Sequence, residues 1–423
     1  MGEVETFRAL TPESLPNRLA LLPALIQKLG SNPTNWRVRE VGDGNLNLVF
    51  IVESDVGSLV VKQALPYVRL VGESWPLPLK RSYFEYHALM RLAASDPGRV
   101  PTVHHFDETQ AIIIMDFLSP HLILRRALID NSVLPNIGSD LGQYLARTAF
   151  RNSDLCMETA DKKAAMALFA GNVELCAITE NLVFSDPYFA ATMNSHTSPQ
   201  LDGLVATLRA DRHLKVAAQQ MKHKFSAQSE TLCHGDMHTG SVMVSADDTK
   251  VIDPEFAFYG PFGFDIGMLL ANYWMSFFSQ RGHETDGNRH GLRGELLTIV
   301  IDTWDHFSAS FAQLWHTERN GILYQRSLFE EQGDHLGSEQ ALQSVLRDIY
   351  EDMLGFAGIE IHRRILGLAH NADFEKIENV AMRASSEARA LKFGRHLAVN
   401  RSNAINLHDL NALAMKLDLD VVT

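Results

Sequence analysis

A short β-rich segment inside a long helical stretch limits the folds open to this 423-residue chain. It contains two runs of strand-forming residues, 241–244 and 250–253, separated by Asp247-Asp248. This pattern predicts a β-hairpin. His234-Gly235-Asp236 precedes the first run and Asp253-Pro254-Glu255 ends the second, so carboxylates flank the predicted hairpin on both sides.

The rest of the chain divides into a strand-rich part and a helical part. Residues 36–117 contain apolar runs typical of strands and one segment with helical spacing, whereas long helical segments follow residue 118. A chain of this length fits two lobes better than one core. We therefore predict an α+β fold with an N-terminal sheet lobe, 1–118, and a larger, mainly helical C-terminal lobe, 119–423. The strongest individual predictions are strands at 49–52, 59–62 and 111–115, and helices at 80–94, 140–150, 161–180 and 338–354.

Composition narrows the class of partner and compartment. The net charge of −13 argues against nucleic acid, which requires a clustered basic face. Three widely spaced cysteines indicate a reducing compartment rather than a disulfide framework. Glu3 and Glu5 are unsuited to the start of a secretory signal, and the apolar run 266–278 is too short to cross a bilayer. We expect a cytoplasmic protein with no membrane partner.

The residues around the predicted hairpin have the chemistry of phosphoryl transfer to an alcohol. That reaction needs a carboxylate beside the acceptor hydroxyl and oxygen ligands for the magnesium ion that neutralises the phosphates. Asp236 is the candidate catalytic base or positioning group. Asp253 is the candidate principal metal ligand, Glu255 could add a second carboxylate from the same face of a strand-like segment, and Ser241 supplies a neutral oxygen.

The upstream half supplies the other parts of an ATP site in the expected order. A glycine-containing turn, 42–47, could bring backbone amides close to phosphate, with Gly44 and Asn47 as the candidate contacts. Lys62 on the next strand would reach the α- and β-phosphates, and Glu85 on the following helix could pair with it. A strand then leads to a hinge whose backbone could meet adenine, formed by Asp116, Phe117 and Leu118.

Several of these patterns have simpler explanations. A lone glycine turn is usually only a turn, and a helical glutamate such as Glu85 is usually on the surface. His234 and His238 have the i, i+4 spacing of a metallohydrolase site, but the glycines around them disfavour a helix. Arg363 and Arg364 lie in an apolar helix, which predicts that at least one points inward, toward substrate or transferring phosphate.

Taken together, these motifs resemble the 5-methylthioribose kinases, a family in the aminoglycoside-phosphotransferase and choline-kinase branch of the protein-kinase-like fold. The resemblance spans nearly the whole chain and is most specific in five segments, which are 42–47, 62–69, 71–76, 234–241 and 253–257. It implies a bilobal fold with an antiparallel N-terminal sheet. It also implies transfer of the ATP γ-phosphate to the 1-hydroxyl of 5-methylthioribose in methionine salvage, by a magnesium-dependent homodimer.

The resemblance also assigns roles to residues. Asn47, Lys62 and the 116–118 hinge would contact ATP, the segment Asp253-Pro254-Glu255 would bind the metal–nucleotide, and Asp236 with Arg363 or Arg364 would bind the sugar. Two positions depart from the family pattern: the hinge sequence, and Met237 in place of the usual Leu. Alternative hypotheses are a kinase for another small alcohol, such as an aminoglycoside or a choline-like compound, and a catalytically silent nucleotide-binding protein.

Overall fold

The chain forms two compact units in a computed structural model that describes residues 6–42, 46–69, 72–132, 136–284, 287–403 and 405–419. The first unit contains the residues up to His121 together with Lys250–Ala257. The second contains Leu122–Thr249 and Phe258–Thr423. The second predicted hairpin strand and the residues up to Ala257 therefore belong to the first unit, although they lie far along the chain. The division predicted at 118/119 assigns them to the second lobe.

The first unit is built on an antiparallel sheet with strand order β1-β2-β3-β7-β6. The predicted strands 49–52 and 59–62 lie within β2 and β3, which are longer, and the predicted strand 111–115 corresponds to β7, which begins and ends one residue later. The helix predicted at 80–94 is α3. The elements are α1 (Leu15–Leu19), α2 (Pro23–Leu29), β1 (Arg37–Glu40), β2 (Asn47–Glu53), β3 (Ser58–Ala64), β4 (Tyr67–Val68), β5 (Gly72–Pro76), α3 (Arg81–Ser95), β6 (Val103–Asp107) and β7 (Ile112–Asp116).

One face of this sheet packs against the N-terminal helices. Phe50, Val52, Val61 and Ile114 alternate with residues of the other face and are at most 1% exposed, and they form one apolar cluster with the leucines of α1 and α2. Because successive strand residues point to opposite faces, Lys62 then lies on the other side from Val61. The core thus fixes the face on which Lys62 is presented.

The second unit is mainly helical in its described part. Helix α5 packs along α11, and α10 packs on α12, which packs on α14. The helices and strands from residue 122 onward are β8 (Leu122–Ile123), α4 (Leu124–Ile129), α5 (Ile137–Arg151), α6 (Thr159–Phe169), α7 (Val173–Leu182), α8 (Asp202–Ala210), α9 (Arg212–Ala227), β9 (Thr231–Cys233), β10 (Val242–Val244), β11 (Thr249–Val251), β12 (Phe258–Gly260), α10 (Gly263–Ser279), α11 (His290–Thr317), α12 (His335–Leu366), α13 (Ala372–Glu375), α14 (Val380–Asn400) and α15 (Leu407–Leu419).

Helices α12 and α14 approach each other closely at a pair of glycines. A methyl group added at Gly358 would lie 2.4 Å from the carbonyl oxygen of Gly394, and one added at Gly394 would lie 3.0 Å from the carbonyl oxygen of Gly358. Helix α12 continues for about one and a half turns to Arg363 and Arg364. The close crossing therefore fixes the part of α12 that leads to both arginines.

The fold confirms the antiparallel N-terminal sheet and the larger helical part, and it corrects two local predictions. The segment 161–180 forms two helices rather than one, because the chain turns at Gly171-Asn172 between α6 and α7. The two predicted hairpin strands are β10 and β11, but β11 ends at Val251. Residues 253–255 are therefore not strand-like, and Asp253 instead has a left-handed backbone with φ of 70°.

By length and apolar composition, no single helix in the described ranges qualifies as a membrane span. The consecutive segments Thr159–Phe169 and Val173–Tyr188 pass that test only as a bent pair.

Candidate active site

In the first unit, Lys62 is a buried cation surrounded by carboxylates. It lies in the middle of β3, opposite Val49 of β2 and Ile113 of β7, and is 7% exposed. Its Nζ donates a hydrogen bond to Glu85 Oε1 at 2.8 Å and also contacts Asp253 Oδ1. The helix glutamate and the strand lysine are therefore paired.

Charge around Lys62 determines its protonation. Burial by itself would lower the pKa of Lys62, but the carboxylates of Asp253, Glu85 and Glu255 outweigh burial and raise it. Burial also raises the pKa of Glu85 and of Glu255, against the opposing effect of Lys62. Lys62 therefore stays charged, and the carboxylates around it exceed what one lysine can neutralise.

A second cation, Arg81, lies beside Glu255. Asn47 Nδ2 donates to Glu255 Oε2 at 2.9 Å, and Arg81 Nη2 donates to Asn47 Oδ1 at 3.0 Å. Arg81 Nε is 3.7 Å from Glu255 Oε2. We call Asn47, Lys62, Arg81, Glu85, Asp253 and Glu255 the Lys62 cluster.

Asp253 is the most accessible carboxylate of the Lys62 cluster. Its side chain is 46% exposed, whereas that of Glu255 is 5% exposed. Aspartate tolerates the left-handed conformation better than most residues, and such outliers concentrate at functional sites. The backbone therefore presents the Asp253 carboxylate outward, while Pro254 and Glu255 turn back into the unit.

The carboxylate oxygens of Asp253 and Glu255 are suitable ligands for a magnesium ion that completes its coordination with nucleotide phosphates and water. The described residues contain no group of three or more His, Cys, Asp and Glu that could hold a metal by themselves. Among these described residues, His234 and His238 are therefore not part of such a group. Asp253 and Glu255 remain the residues suited to a shared metal–nucleotide.

At the predicted hinge, Asp116 ends β7, and Phe117 and Leu118 follow it in irregular, half-buried backbone. The Asp116 carboxylate accepts hydrogen bonds from the backbone of Thr102 at 3.3 Å and from His104 Nε2 at 2.5 Å. The Asp116 side chain is therefore engaged, and its backbone N–H also donates to the carbonyl oxygen of Thr102 at 3.0 Å. Gly44 of the glycine turn lies outside the described residues.

In the second unit, Asp236 lies on a loop between β9 and β10. The side chains of Asp265 and Ser241 hold the backbone of this loop in place. Asp265, in the first turn of α10, accepts the N–H groups of His234 at 2.6 Å and Gly235 at 3.1 Å. Gly235 has φ of 89°, a conformation that favours glycine. The Ser241 hydroxyl donates to the carbonyl oxygen of Asp236 at 3.0 Å, so Ser241 braces this loop.

Both oxygens of the Asp236 carboxylate have partners. Arg363 Nη1 and Arg364 Nη2 donate to Oδ1 at 3.1 and 3.0 Å. His238 Nε2 lies 3.3 Å from Oδ2, and its Nδ1 accepts the N–H of Gly240 at 2.9 Å. The Nδ1 acceptor role places the imidazole proton on Nε2, facing Asp236.

Glu360 is a buried carboxylate that pairs with both arginines. Arg364 Nε donates to Glu360 Oε1 at 2.6 Å and Arg363 Nη1 to Glu360 Oε2 at 3.1 Å. Burial alone would raise the pKa of Glu360, but Arg363 and Arg364 lower it. We call Asp236, His238, Glu360, Arg363 and Arg364 the Asp236 cluster.

The partners of Asp236 in this cluster keep the Asp236 carboxylate ionised. Burial alone would raise the pKa of Asp236, but His238, Arg363 and Arg364 hold it well below its usual range. Burial lowers the pKa of His238 to about 4, so this imidazole is neutral near pH 7 and acts as a hydrogen-bond donor. The lasting positive charge beside Asp236 therefore comes from the arginines.

Three residues that form these clusters or hold them in place were not predicted from the sequence. Glu360 carried a signal, because it lies three and four residues before the arginines in an apolar helix and so shares their face. Arg81 and Asp265 carried none: an arginine that begins a helix and an aspartate in a first turn are usually exposed.

Comparison with known proteins identifies the family. Residues 37–296 match the model of the phosphotransferase enzyme family APH. The chain is 42% identical over 402 residues to methylthioribose kinase 1 of Oryza sativa subsp. japonica, covering 93% of this chain and 92% of the relative. It is 41% identical over 403 residues to the methylthioribose kinase of Escherichia coli O45:K1 (strain S88 / ExPEC), covering 95% and 96%.

The chain belongs to the methylthioribose kinase family. Among solved structures, a Plasmodium vivax ethanolamine kinase matches with a TM-score of 0.46 and 10% identity, covering 89% of each chain. As a methylthioribose kinase family member, the protein is a phosphotransferase that uses ATP and a divalent metal ion. The Lys62 cluster contains residues suited to the metal–nucleotide, and the Asp236 cluster contains the carboxylate suited to the acceptor alcohol.

Proposed function

We propose that the protein transfers the γ-phosphate of ATP to the 1-hydroxyl of 5-methylthioribose, giving 5-methylthioribose 1-phosphate and ADP in methionine salvage. The hydroxyl oxygen forms the new bond to phosphorus, the bond to the β–γ bridging oxygen breaks, and the hydroxyl proton leaves by way of Asp236. The identity to named methylthioribose kinases over more than nine-tenths of the chain supports this acceptor.

The charge balance of the Asp236 cluster is the observation that favours a neutral sugar as the acceptor. Two carboxylates, Asp236 and Glu360, face two arginines, so the cluster has no surplus negative charge for a cationic substrate. Choline and aminoglycosides are cations, whereas methylthioribose is a neutral polyol. A neutral sugar can exchange hydrogen bonds with the cluster without leaving a buried charge unpaired.

Within the pair of arginines, Arg363 is the better candidate for direct sugar contact. Arg364 uses Nε and Nη2 on Glu360 and Asp236. Arg363 Nε is buried, and the described residues give it no hydrogen-bond acceptor. A sugar hydroxyl would satisfy this donor, and an unsatisfied buried donor costs roughly 1–3 kcal/mol.

On the nucleotide side, we assign phosphate contacts to Asn47 and Lys62, with Glu85 holding Lys62 in place, and a further contact to Gly44. Adenine would meet the backbone of Asp116, Phe117 and Leu118. Asp253 and Glu255, with Pro254 between them, would hold Mg²⁺, to which Ser241 could add an oxygen. When bound, Mg²⁺ neutralises charge on the β- and γ-phosphates.

The family resemblance also supports a homodimer, and the composition supports a cytoplasmic location without nucleic-acid or membrane partners. Light scattering on the purified chain at several concentrations checks the first of these. A mass equal to one chain at every concentration would contradict the dimer.

The deciding experiment measures ADP release with purified protein, ATP, Mg²⁺ and 5-methylthioribose, with the sugar phosphate located by NMR. We expect turnover with this sugar, phosphate on its 1-oxygen, and little turnover with choline or kanamycin. Activity on either cation, with none on methylthioribose, would favour another small-alcohol kinase. Nucleotide binding without turnover on any acceptor would favour a catalytically silent protein. Activity of Asp236→Ala equal to that of the wild type would show that the base assignment is wrong.

A further inference from the structure

The most deeply buried cation of the first unit is Arg81, which no nucleotide-binding assignment above includes. Its side chain is 1% exposed at the first residue of α3. Burial lowers its pKa, although the carboxylates of Glu255, Glu85 and Asp253 oppose the effect. A buried guanidinium is expensive unless its donors are used, so its contacts indicate its role.

Arg81 joins the chain segments that precede and follow Lys62. Nη1 donates to the carbonyl oxygen of Leu65 at 2.5 Å, just after β3, and to that of Pro78 at 3.2 Å. Nη2 donates to the carbonyl oxygen of Leu46 at 2.8 Å, just before β2. One planar fork thus fixes the end of the glycine turn relative to the strand that presents Lys62.

The contact with Asn47 has a directional consequence. Arginine can only donate, so the atom of the Asn47 amide that faces Arg81 Nη2 at 3.0 Å must be the oxygen. The amide nitrogen must then face the other way, where it donates to Glu255 Oε2 at 2.9 Å. Arg81 therefore sets the orientation of the amide that holds the Glu255 carboxylate.

We propose that Arg81 is a positioning residue for the metal–nucleotide, acting through Asn47 on Glu255. The proposal rests on the role assigned above to Glu255. Without the guanidinium the Asn47 amide is free to rotate, and Glu255 loses both its fixed donor and a cation whose Nε lies 3.7 Å from Oε2. The expected defect is in binding metal-bound nucleotide, with binding of the sugar left intact.

The test measures the affinity of a fluorescent ADP analogue with and without Mg²⁺, and the Mg²⁺ concentration at half-maximal binding. We expect Arg81→Met to weaken Mg²⁺-dependent nucleotide binding about 10- to 100-fold and metal-free binding less than about 3-fold. Arg81→Lys, which keeps the charge but not the fork, should fall between. Arg91→Met, on the same helix and half-exposed, is the matched control and should bind like the wild type.

A second variant separates positioning from folding. Asn47→Leu breaks the link to Glu255 while retaining Arg81, and should give a metal-dependent defect of similar size. The double variant should be no worse than the more affected single variant, because both changes break one chain of contacts. Additive defects, or an Arg81→Met protein with lowered melting temperature but unchanged affinity per active site, would overturn the proposal.

Neither binding measurement contains sugar, so the outcome does not depend on the identity of the acceptor. If the wild type binds Mg²⁺-nucleotide but does not phosphorylate methylthioribose, the proposed function fails while the Arg81 proposal is still tested. If turnover is present, Arg81→Met should raise the KM for ATP and leave the KM for methylthioribose within about 2-fold.

Discussion

The Lys62 and Asp236 clusters use the same buried side-chain types in opposite balance. In the Lys62 cluster three carboxylates face two cations, Lys62 and Arg81, so one negative charge remains. In the Asp236 cluster two carboxylates face two arginines. The Lys62 cluster is therefore suited to admitting a further cation, whereas the Asp236 cluster is already neutral.

The two clusters also differ in what burial does to their acids. Burial raises the pKa of Glu85 and Glu255, because three carboxylates share Lys62 and Arg81. In the Asp236 cluster, His238, Arg363 and Arg364 reverse the effect of burial on the pKa of Asp236, and the two arginines reverse it for Glu360. The ratio of hydrogen-bonding and cationic partners to carboxylates, and not burial alone, therefore decides in which direction these pKa values move.

The largest expected effect comes from removing the negative charge of the balanced cluster. Asp236→Asn should lower kcat by about 10²–10⁴-fold, because the acceptor hydroxyl loses its carboxylate partner and both arginines lose one of their two counter-ions. Affinity for the ADP analogue should stay within about 2-fold. Steady-state kinetics and nucleotide titration on the same preparation check this, and a fully active Asp236→Asn enzyme would show that the base assignment is wrong.

The next effect tests the surplus charge of the Lys62 cluster. Asp253→Asn keeps a residue that tolerates the left-handed backbone and removes only the charge. We expect kcat to fall about 10²–10³-fold, a magnitude typical of losing one electrostatic contact to the transition state. The Mg²⁺ concentration needed for half-maximal activity should rise. Unchanged metal dependence would contradict the role of Asp253 as principal metal ligand.

A smaller effect separates the two arginines. Arg363→Met should raise the KM for methylthioribose about 10-fold or more, because a hydrogen bond from a charged donor contributes about 1.5–3 kcal/mol. Arg364→Met should act mainly on kcat and melting temperature, since this side chain bridges Glu360 and Asp236. Sugar kinetics and thermal melts of both variants check the contrast. The reverse pattern would exchange the two roles.

The smallest effect extends the comparison to an acid with weak charge compensation. Burial raises the pKa of Glu387 to about 7, against the weaker opposing effects of Thr197 and Arg383. A carboxyl with a raised pKa contributes stability at low pH that is lost as pH rises through its folded-state value. Glu387→Gln should therefore be nearly neutral at pH 5.

At pH 8 the same Glu387→Gln variant should be stabilised by at most about 3 kcal/mol, because glutamine cannot ionise. Thermal melts of wild type and variant at both pH values check the sign. Glu360→Gln is the matched contrast and should destabilise at pH 8, since Arg363 and Arg364 would lose one of the two carboxylates that they share. A Glu387→Gln protein that is less stable at pH 8 than at pH 5, relative to the wild type, would contradict the assignment.

Much of the fold was predictable because its signals are local. The apolar run before Lys62 predicts its strand, and the apolar spacing from Tyr83 to Leu92 predicts the following helix. The chemistry around Asp236 and Asp253 is visible as short motifs in a fixed order. Each single motif or element consists of residues that are neighbours in the sequence.

The missed features depend on tertiary contacts. Arg81 becomes a buried residue only because Leu46, Leu65 and Glu255 converge on it, and no local pattern announces that convergence. Residues 253–255 were predicted as strand-like from their polarity pattern, but β11 stops at Val251 and the chain adopts a left-handed turn. A left-handed turn of this kind depends on the tertiary contacts of the Asp253 side chain, and sequence spacing does not contain that information.

The glycine crossing of α12 and α14 has a consequence for how acceptor specificity could evolve in this scaffold. Gly358 and Gly394 allow no side chain at the crossing, and Glu360, Arg363 and Arg364 all lie within two turns of it on α12. A lineage adapting to a new sugar can replace these polar residues one at a time. The position of helix α12 is fixed by the crossing, so new acceptors must be accommodated by changing the side chains that α12 presents.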